Sequence, residues 1–231
     1  MKRAILTTDD IASKNTRAIV DFLTEKRIKA VLFAWGQHVE EYYDEAIYAL
    51  KAGMIVGNHS YSHPAFSSLS YEECIKEIEK NEELLDRLYK DAGAERKYRP
   101  FRFPYGDKGG KNAELLQKYF KEKGFNKLVD TDITYPWWKE SGCSRDIDTL
   151  WTFDFEEYRV RPNSGFTEED IWKKVNDARP AMGGPILSEE SVNLVLIHAH
   201  DETEEMIPGY YQKFIGALID KGVVFEEPRF F

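Results

Sequence analysis

Four short polar clusters in this chain carry side chains that handle protons and cations: Thr7-Thr8-Asp9-Asp10, His59-Ser60-Tyr61-Ser62-His63-Pro64, Arg102-Phe103-Pro104-Tyr105 and His198-Ala199-His200-Asp201. Each has an ordinary structural use. Paired aspartates often cap a helix, because carboxylates accept from its unpaired N–H groups and suit its positive end. Spaced histidines are often solvated, and an arginine is often a salt-bridge partner. Taken together the set is more specific. Two histidines at i, i+4 face the same way across a helical turn, and two imidazoles with one carboxylate bind a catalytic divalent metal while leaving a position open. Asp10, His59 and His63 supply that set, and Asp9 beside them can take a proton from an attacking water. His198 has the side chain whose ordinary pKa best suits protonating a leaving group near neutrality. One cation, one base and one acid point to hydrolysis. His38 reads as structural, and no second metal is expected on His198-Ala199-His200-Asp201.

Bringing the clusters together is the task of the elements that carry them. Apolar runs rich in β-branched and aromatic residues predict strands at residues 3–7, 29–33, 54–57, 100–103, 127–132, 149–153, 193–198 and 223–226. Helical spacing covers 16–26, 41–51, 112–123 and 207–221, and capping boxes at Ser70/Glu73 and Thr167/Asp170 start two more helices. This alternation predicts an α/β fold with a mostly parallel sheet of seven or eight strands, favouring a barrel, as one domain over residues 1–231. In such folds chemistry sits at the carboxyl ends of strands, so the four clusters share one rim. Residues 131–148 lack periodicity and are expected to form an inserted surface loop, whose Trp137 and Trp138 are candidates for stacking on a sugar ring or another flat substrate. The charge-rich helix over 72–90 reads as a solvated face.

Composition narrows the partners. With 32 basic and 41 acidic side chains among 231 residues, the formal charge of −9 opposes the counterion release that drives nucleic-acid binding. No apolar run approaches the roughly 18 residues of a membrane span, and Met1-Lys2-Arg3-Ala4-Ile5-Leu6 is too short for a signal peptide. The chain as written is thus expected in the cytoplasm, or outside it if it derives from a longer secreted protein. Cys74 and Cys143 are too few for a disulfide scaffold and are expected as free thiols, with one disulfide as the alternative.

Five motifs in order resemble those of the polysaccharide deacetylases, also called carbohydrate esterase family 4 or the NodB-homology group. Thr7-Thr8-Asp9-Asp10 matches T-F-D-D, His59-Ser60-Tyr61-Ser62-His63-Pro64 matches H-[ST]-x-x-H-P, and Arg102-Phe103-Pro104-Tyr105 matches R-x-P-Y. Trp151 to Tyr158 resembles the Trp-x-x-Asp-x-x-Asp-Trp motif, and Leu196-Ile197-His198 matches L-x-H. The resemblance implies a distorted (β/α) barrel and metal-dependent removal of an N-acetyl or O-acetyl group from a carbohydrate. It implies one divalent ion, zinc foremost with cobalt or nickel as alternatives, on Asp10, His59 and His63, with Asp9 as base and His198 as acid. It further implies that Arg102 orients Asp9, that the Tyr105 N–H helps hold the oxyanion, and that Leu196 walls the acyl pocket.

Thr8, Ile11, Glu157 and Tyr158 depart from the family pattern. Glu157 stands where an aspartate should tune the acid histidine, and Asp154 and Asp132 are the other candidates for that role. Two further readings of the same residues remain open: an allantoinase-like hydrolase of a small amide, and a catalytically silent carbohydrate-binding homologue. The expected partner is an acetylated carbohydrate or a small amide, and the sequence is silent on oligomeric state.

Overall fold

The computed structural model describes residues 1–231. Six strands, β1 (Lys2–Ile11), β2 (Val31–Ala34), β3 (Ile55–Asn58), β4 (Phe153–Asp154), β5 (Val192–His198) and β6 (Val223–Phe225), form one sheet of order β3-β2-β1-β5-β4. Every pairing is parallel. β5 runs along one edge of β1, while β6 and β2 share the other, β6 at its start and β2 at its end. The helices are α1 (Thr16–Glu25), α2 (Gly36–Glu41), α3 (Tyr43–Lys51), α4 (Tyr71–Ala92), α5 (Ala113–Glu122), α6 (Pro136–Glu140), α7 (Glu168–Asn176), α8 (Asp201–Met206) and α9 (Tyr210–Asp220). None is long and apolar enough to cross a membrane. The α/β class and the parallel sheet agree with the sequence pattern.

Side chains alternate between the two faces of a strand, and here both faces are covered. One set, including Ala4, Leu6, Leu32, Ala34, Val56, Val195 and Ile197, packs in the large core with residues of α1, α3, α4 and α9. The alternate set, Ile5, Val31, Phe33, Ile55, Val192 and Leu194, forms a separate inner cluster. Continuing by twos along the same face leads from Ile5 to Asp9, from Phe33 to Trp35, from Ile55 to His59 and from Leu194 to His198. Apolar residues therefore fill the base of the inner face and chemical ones occupy its carboxyl end.

Strand pairing falls short of the expected seven or eight strands. The run 100–103 contributes only a single bridge, Asn58 to Phe101, and the run 127–132 only one antiparallel bridge, Leu128 to Phe230. Pro100 and Pro104 remove N–H donors at both ends of the first run, which prevents a regular ladder. Backbone bonds still carry the chain across the opening between β3 and β4, from Arg102 N to Asn58 O at 3.0 Å and from Thr149 N to Phe101 O at 2.8 Å. Gly57 permits this close approach, since a Cβ there would lie 2.8 Å from Pro100 Cγ and 2.9 Å from its carbonyl oxygen.

Two surface expectations also change. Residues 131–148 do not form a simple surface loop, because Ile133, Trp138 and Cys143 are buried in the inner cluster and the Trp138 indole donates to Asp130 Oδ2 at 2.7 Å. Trp138 therefore offers no face to a substrate. Nor is α4 merely solvated: its Ser70/Glu73 capping box forms as expected, but Asn81 and Glu82 are buried. Glu82 pairs with Arg96 and Arg99 at 2.8 and 2.7 Å and accepts from Asn58 at 2.8 Å. Cys74 and Cys143 are free and buried.

Because Trp138 fills the base of the inner face, Trp138→Ala should cost about 3–5 kcal/mol of stability in a urea titration.

Candidate active site and metal centre

Asp9 and Asp10 are consecutive, so a regular strand would send them to opposite faces. The β1–β2 register shifts between Thr8 and Ile11, and Asp10 has φ 62°. This bulge-like irregularity lets both carboxylates line the same cavity, of about 340 Å³. The histidine pair is assembled differently from the expected helical turn. His59 follows β3, and the chain from Ser60 to His63 is irregular, with φ of 64° at Ser60 and 57° at His63. Asn58 shapes this turn: its Oδ1 accepts from Ser60 N at 2.8 Å and from Asn81 at 2.9 Å, and its amide donates to Glu82. Backbone strain of this kind is tolerated where surrounding bonds over-determine it.

His59 Nε2 and His63 Nε2 lie 3.3 Å apart, and Asp10 Oδ1 is 3.6 Å from the first and 3.3 Å from the second. His59 Nδ1 donates to the Arg102 carbonyl at 2.8 Å, which leaves the lone pair on Nε2 facing the carboxylate. Burial, then the neighbouring His59, pushes His63 down to about 4. Asp10 Oδ1 is buried without a hydrogen-bond partner. For Asp10, burial favours the neutral acid, but the hydrogen bond from His200 and the fields of His59 and His63 outweigh it and hold the carboxyl well below its usual range. Bonds of about 2.0–2.1 Å to a tetrahedral ion place its ligand atoms roughly 3.3–3.4 Å apart, so the three atoms fit one divalent cation.

Asp9 is held from behind. The Arg102 guanidinium, fully buried, donates to Asp9 Oδ1 at 2.7 Å and to the Thr7 hydroxyl at 2.8 Å. Its remaining donors reach the carbonyls of Thr149 and Leu150 at 2.9 and 3.2 Å. Asp9 Oδ2 remains directed toward the imidazoles, 3.5 Å from His59 Nε2.

Across the cavity, the His198 ring nitrogen Nδ1 donates to Glu157 Oε1 at 3.0 Å, and the same oxygen accepts the His198 backbone N–H at 2.7 Å. Burial disfavours the charged ring, but the Glu157 carboxylate and its hydrogen bond, with Asp154, raise His198 to about 10. Asp154 is nearby and is itself pushed up to about 6 by burial, with Glu157 adding to the rise. Asp132 pairs with Arg3 at the opposite end of β1. Among the three candidate partners, Glu157 is the one bonded to His198.

Tyr105 adopts φ 58°, is largely exposed, and packs its ring edgewise on His63 at 4.6 Å. Leu196 lines the cavity. Trp137 is half-buried and lines a neighbouring hollow that shares Trp151, Asp154 and Tyr158 with the main cavity.

Three lining residues have no role in the sequence reading. Trp35 stacks between His63, at 4.7 Å, and His38, at 3.9 Å, and its position two residues past Phe33 on the inner face was the signal for it. Trp151 also lines the cavity, although only its motif had been noted. His200 donates to Asp10, a contact no local pattern announces.

A sequence profile of the family described as polysaccharide deacetylase matches residues 1–126. The chain is 37% identical over 113 residues to peptidoglycan-N-acetylmuramic acid deacetylase PdaC of Bacillus subtilis, covering 48% of this chain and 22% of that protein. It is 35% identical over 137 residues to the peptidoglycan-N-acetylglucosamine deacetylase of Bacillus cereus, covering 58% and 44%. These matches span less than half the length of either relative. The fold is shared with the Bc1960 peptidoglycan N-acetylglucosamine deacetylase, at a TM-score of 0.66 and 24% identity over 98% of this chain and 86% of that one.

Replacing Glu157 by Gln should move the His198 titration down from about 10 toward the ordinary histidine value, followed by NMR of the imidazole. A histidine raised on folding stabilises the protein fully below its unfolded value near 6.5, and loses that contribution as pH rises through about 10. The stability advantage of wild type over Glu157→Gln should therefore shrink across that window in pH-dependent unfolding.

Proposed function

This chain belongs to the polysaccharide deacetylase family, and from that premise we propose that it is a metal-dependent hydrolase that removes an N-acetyl or O-acetyl group from a carbohydrate. The observation that carries the reading is the unpartnered Asp10 Oδ1 facing two imidazole nitrogens, with a carboxylate-arginine pair beside it and a carboxylate-histidine pair across the cavity. Asp10, His59 and His63 would hold the cation, zinc foremost with cobalt or nickel as alternatives. When bound, that ion lowers the pKa of water and polarises the acyl carbonyl.

The chain's own residues do the rest. Asp9 accepts the proton of the attacking water through Oδ2 while Arg102 fixes its other oxygen. The Tyr105 N–H, which donates to no backbone or side-chain acceptor of the protein, is available to the oxygen on which charge develops. His198, charged at neutral pH, gives a proton to the departing amine or alcohol, and Glu157 holds its ring in the orientation that aims Nε2 at the cavity. Leu196 and Trp35 exclude water around a small acyl group.

The relatives' peptidoglycan substrates make N-acetylated amino-sugar polymers the first class to test. Purified protein should hold about one equivalent of divalent metal and release acetate from such a polymer in a panel of acylated substrates with metal add-back. Asp9→Asn should keep its metal and lose about a hundredfold or more in turnover. Turnover of small amides alone would replace the carbohydrate with an allantoinase-like substrate, and no turnover alongside glycan binding would leave a silent homologue.

A further inference from the structure

We propose that His200 is a positioning residue that fixes Asp10 as a single-oxygen metal ligand. This rests on the metal-centre reading above. The two carboxylate oxygens of Asp10 have divided surroundings: Oδ2 is 2.7 Å from His200 Nε2, whereas Oδ1 has no hydrogen-bond partner and is the oxygen that faces His59 and His63. An ionised carboxylate only accepts, so the donor is the His200 Nε2–H. Satisfying Oδ2 in this way leaves Oδ1 alone free to bind a cation.

Asp10 needs such an anchor because of its backbone. With φ 62° inside the β1 irregularity, its side chain is not aimed by a regular strand pleat. His200 is itself well placed to provide a fixed point. Its backbone N–H donates to the Tyr210 hydroxyl at 3.1 Å, and that hydroxyl donates in turn to the His198 carbonyl. Its carbonyl accepts from Asn15 Nδ2 at 3.4 Å, and its ring lies 5.0 Å from that of His198. One tyrosine thus pins the acid histidine and the anchoring histidine to the same turn. His200 makes no direct approach to His59 or His63, which separates its role from that of the ligands.

The test is metal affinity, measured by competition with a chromogenic chelator on the purified chain, together with the visible spectrum of the cobalt-loaded protein. His200→Ala should weaken binding about 10–100-fold and alter the cobalt spectrum, because partners that orient a ligand are typically worth that much. His200→Gln, whose amide can reach Asp10 Oδ2, should recover most of the loss. If the alanine chain does not fold, as judged by circular dichroism, His200→Asn serves instead, since its shorter amide stops short of Asp10. Affinity and spectrum unchanged in His200→Ala would overturn the proposal, and so would a glutamine variant that binds no better than His63→Ala, which would make His200 a ligand itself. His63→Ala in the same titration keeps the two readings apart: unchanged binding there would overturn the metal centre, whereas its loss beside an unaffected His200→Ala would overturn the positioning role alone.

Discussion

Two adjacent carboxylates, both buried at the end of β1, set the terms for everything around them. Buried like charges this close cannot both remain ionised unless each has its own compensation. Asp9 receives it from Arg102, at 2.7 Å and wholly inside the protein. Asp10 receives it from His200 on one oxygen and turns the other toward the imidazoles of His59 and His63. Different partners leave neighbouring residues of one chemical type in different surroundings: Asp9 is bonded to an arginine, while Asp10 keeps one oxygen without a hydrogen-bond partner, and the proposed division into base and ligand rests on that difference.

The cost of that arrangement is spread over the scaffold. Arg102 can be buried because its donors also find Thr7 and the carbonyls of Thr149 and Leu150. The two carbonyls lie on irregular chain before β4, tied by the Thr149 N–H to the carbonyl of Phe101 in the run that proline interrupts. A regular strand would have spent the same carbonyls on its neighbours. The missing strands and the buried arginine are therefore one feature. Behind the histidines, Asn58, Asn81 and Glu82 form a second polar network that shapes the His59 to His63 turn, and Arg96 and Arg99 neutralise its single buried acid.

The opposite wall works by contrast. His198 sits within reach of Asp154 as well as Glu157, and burial alone would strip its proton. The bonded glutamate reverses that, so the ring is charged across the cavity from the Asp9–Arg102 pair. Glu157, where the family pattern has an aspartate, stands on a short turn that follows Glu156, whose φ is 55°. The longer side chain reaches both the ring and the backbone N–H of His198 with one oxygen.

Much of this was legible in the sequence, for reasons that are local. Short apolar runs at 3–7 and 193–198 that end in polar residues mark strands, and parallel topology then gathers the strand ends. The capping boxes at Ser70 and Thr167 are likewise set by neighbours three residues apart. What needed the tertiary structure depends on residues far apart in the chain. Asp10 should face away from Asp9 by strand parity, and only a register shift against β2 turns it inward. His200 meets Asp10 across 190 positions, Trp138 is drawn from an apparent loop into the inner core, and proline confines the run at 100–103 to a single bridge. Local sequence determines a side chain's face and its nearest partners; burial and long-range pairing decide which of those positions become a site, because only there do charges leave water and have to find one another.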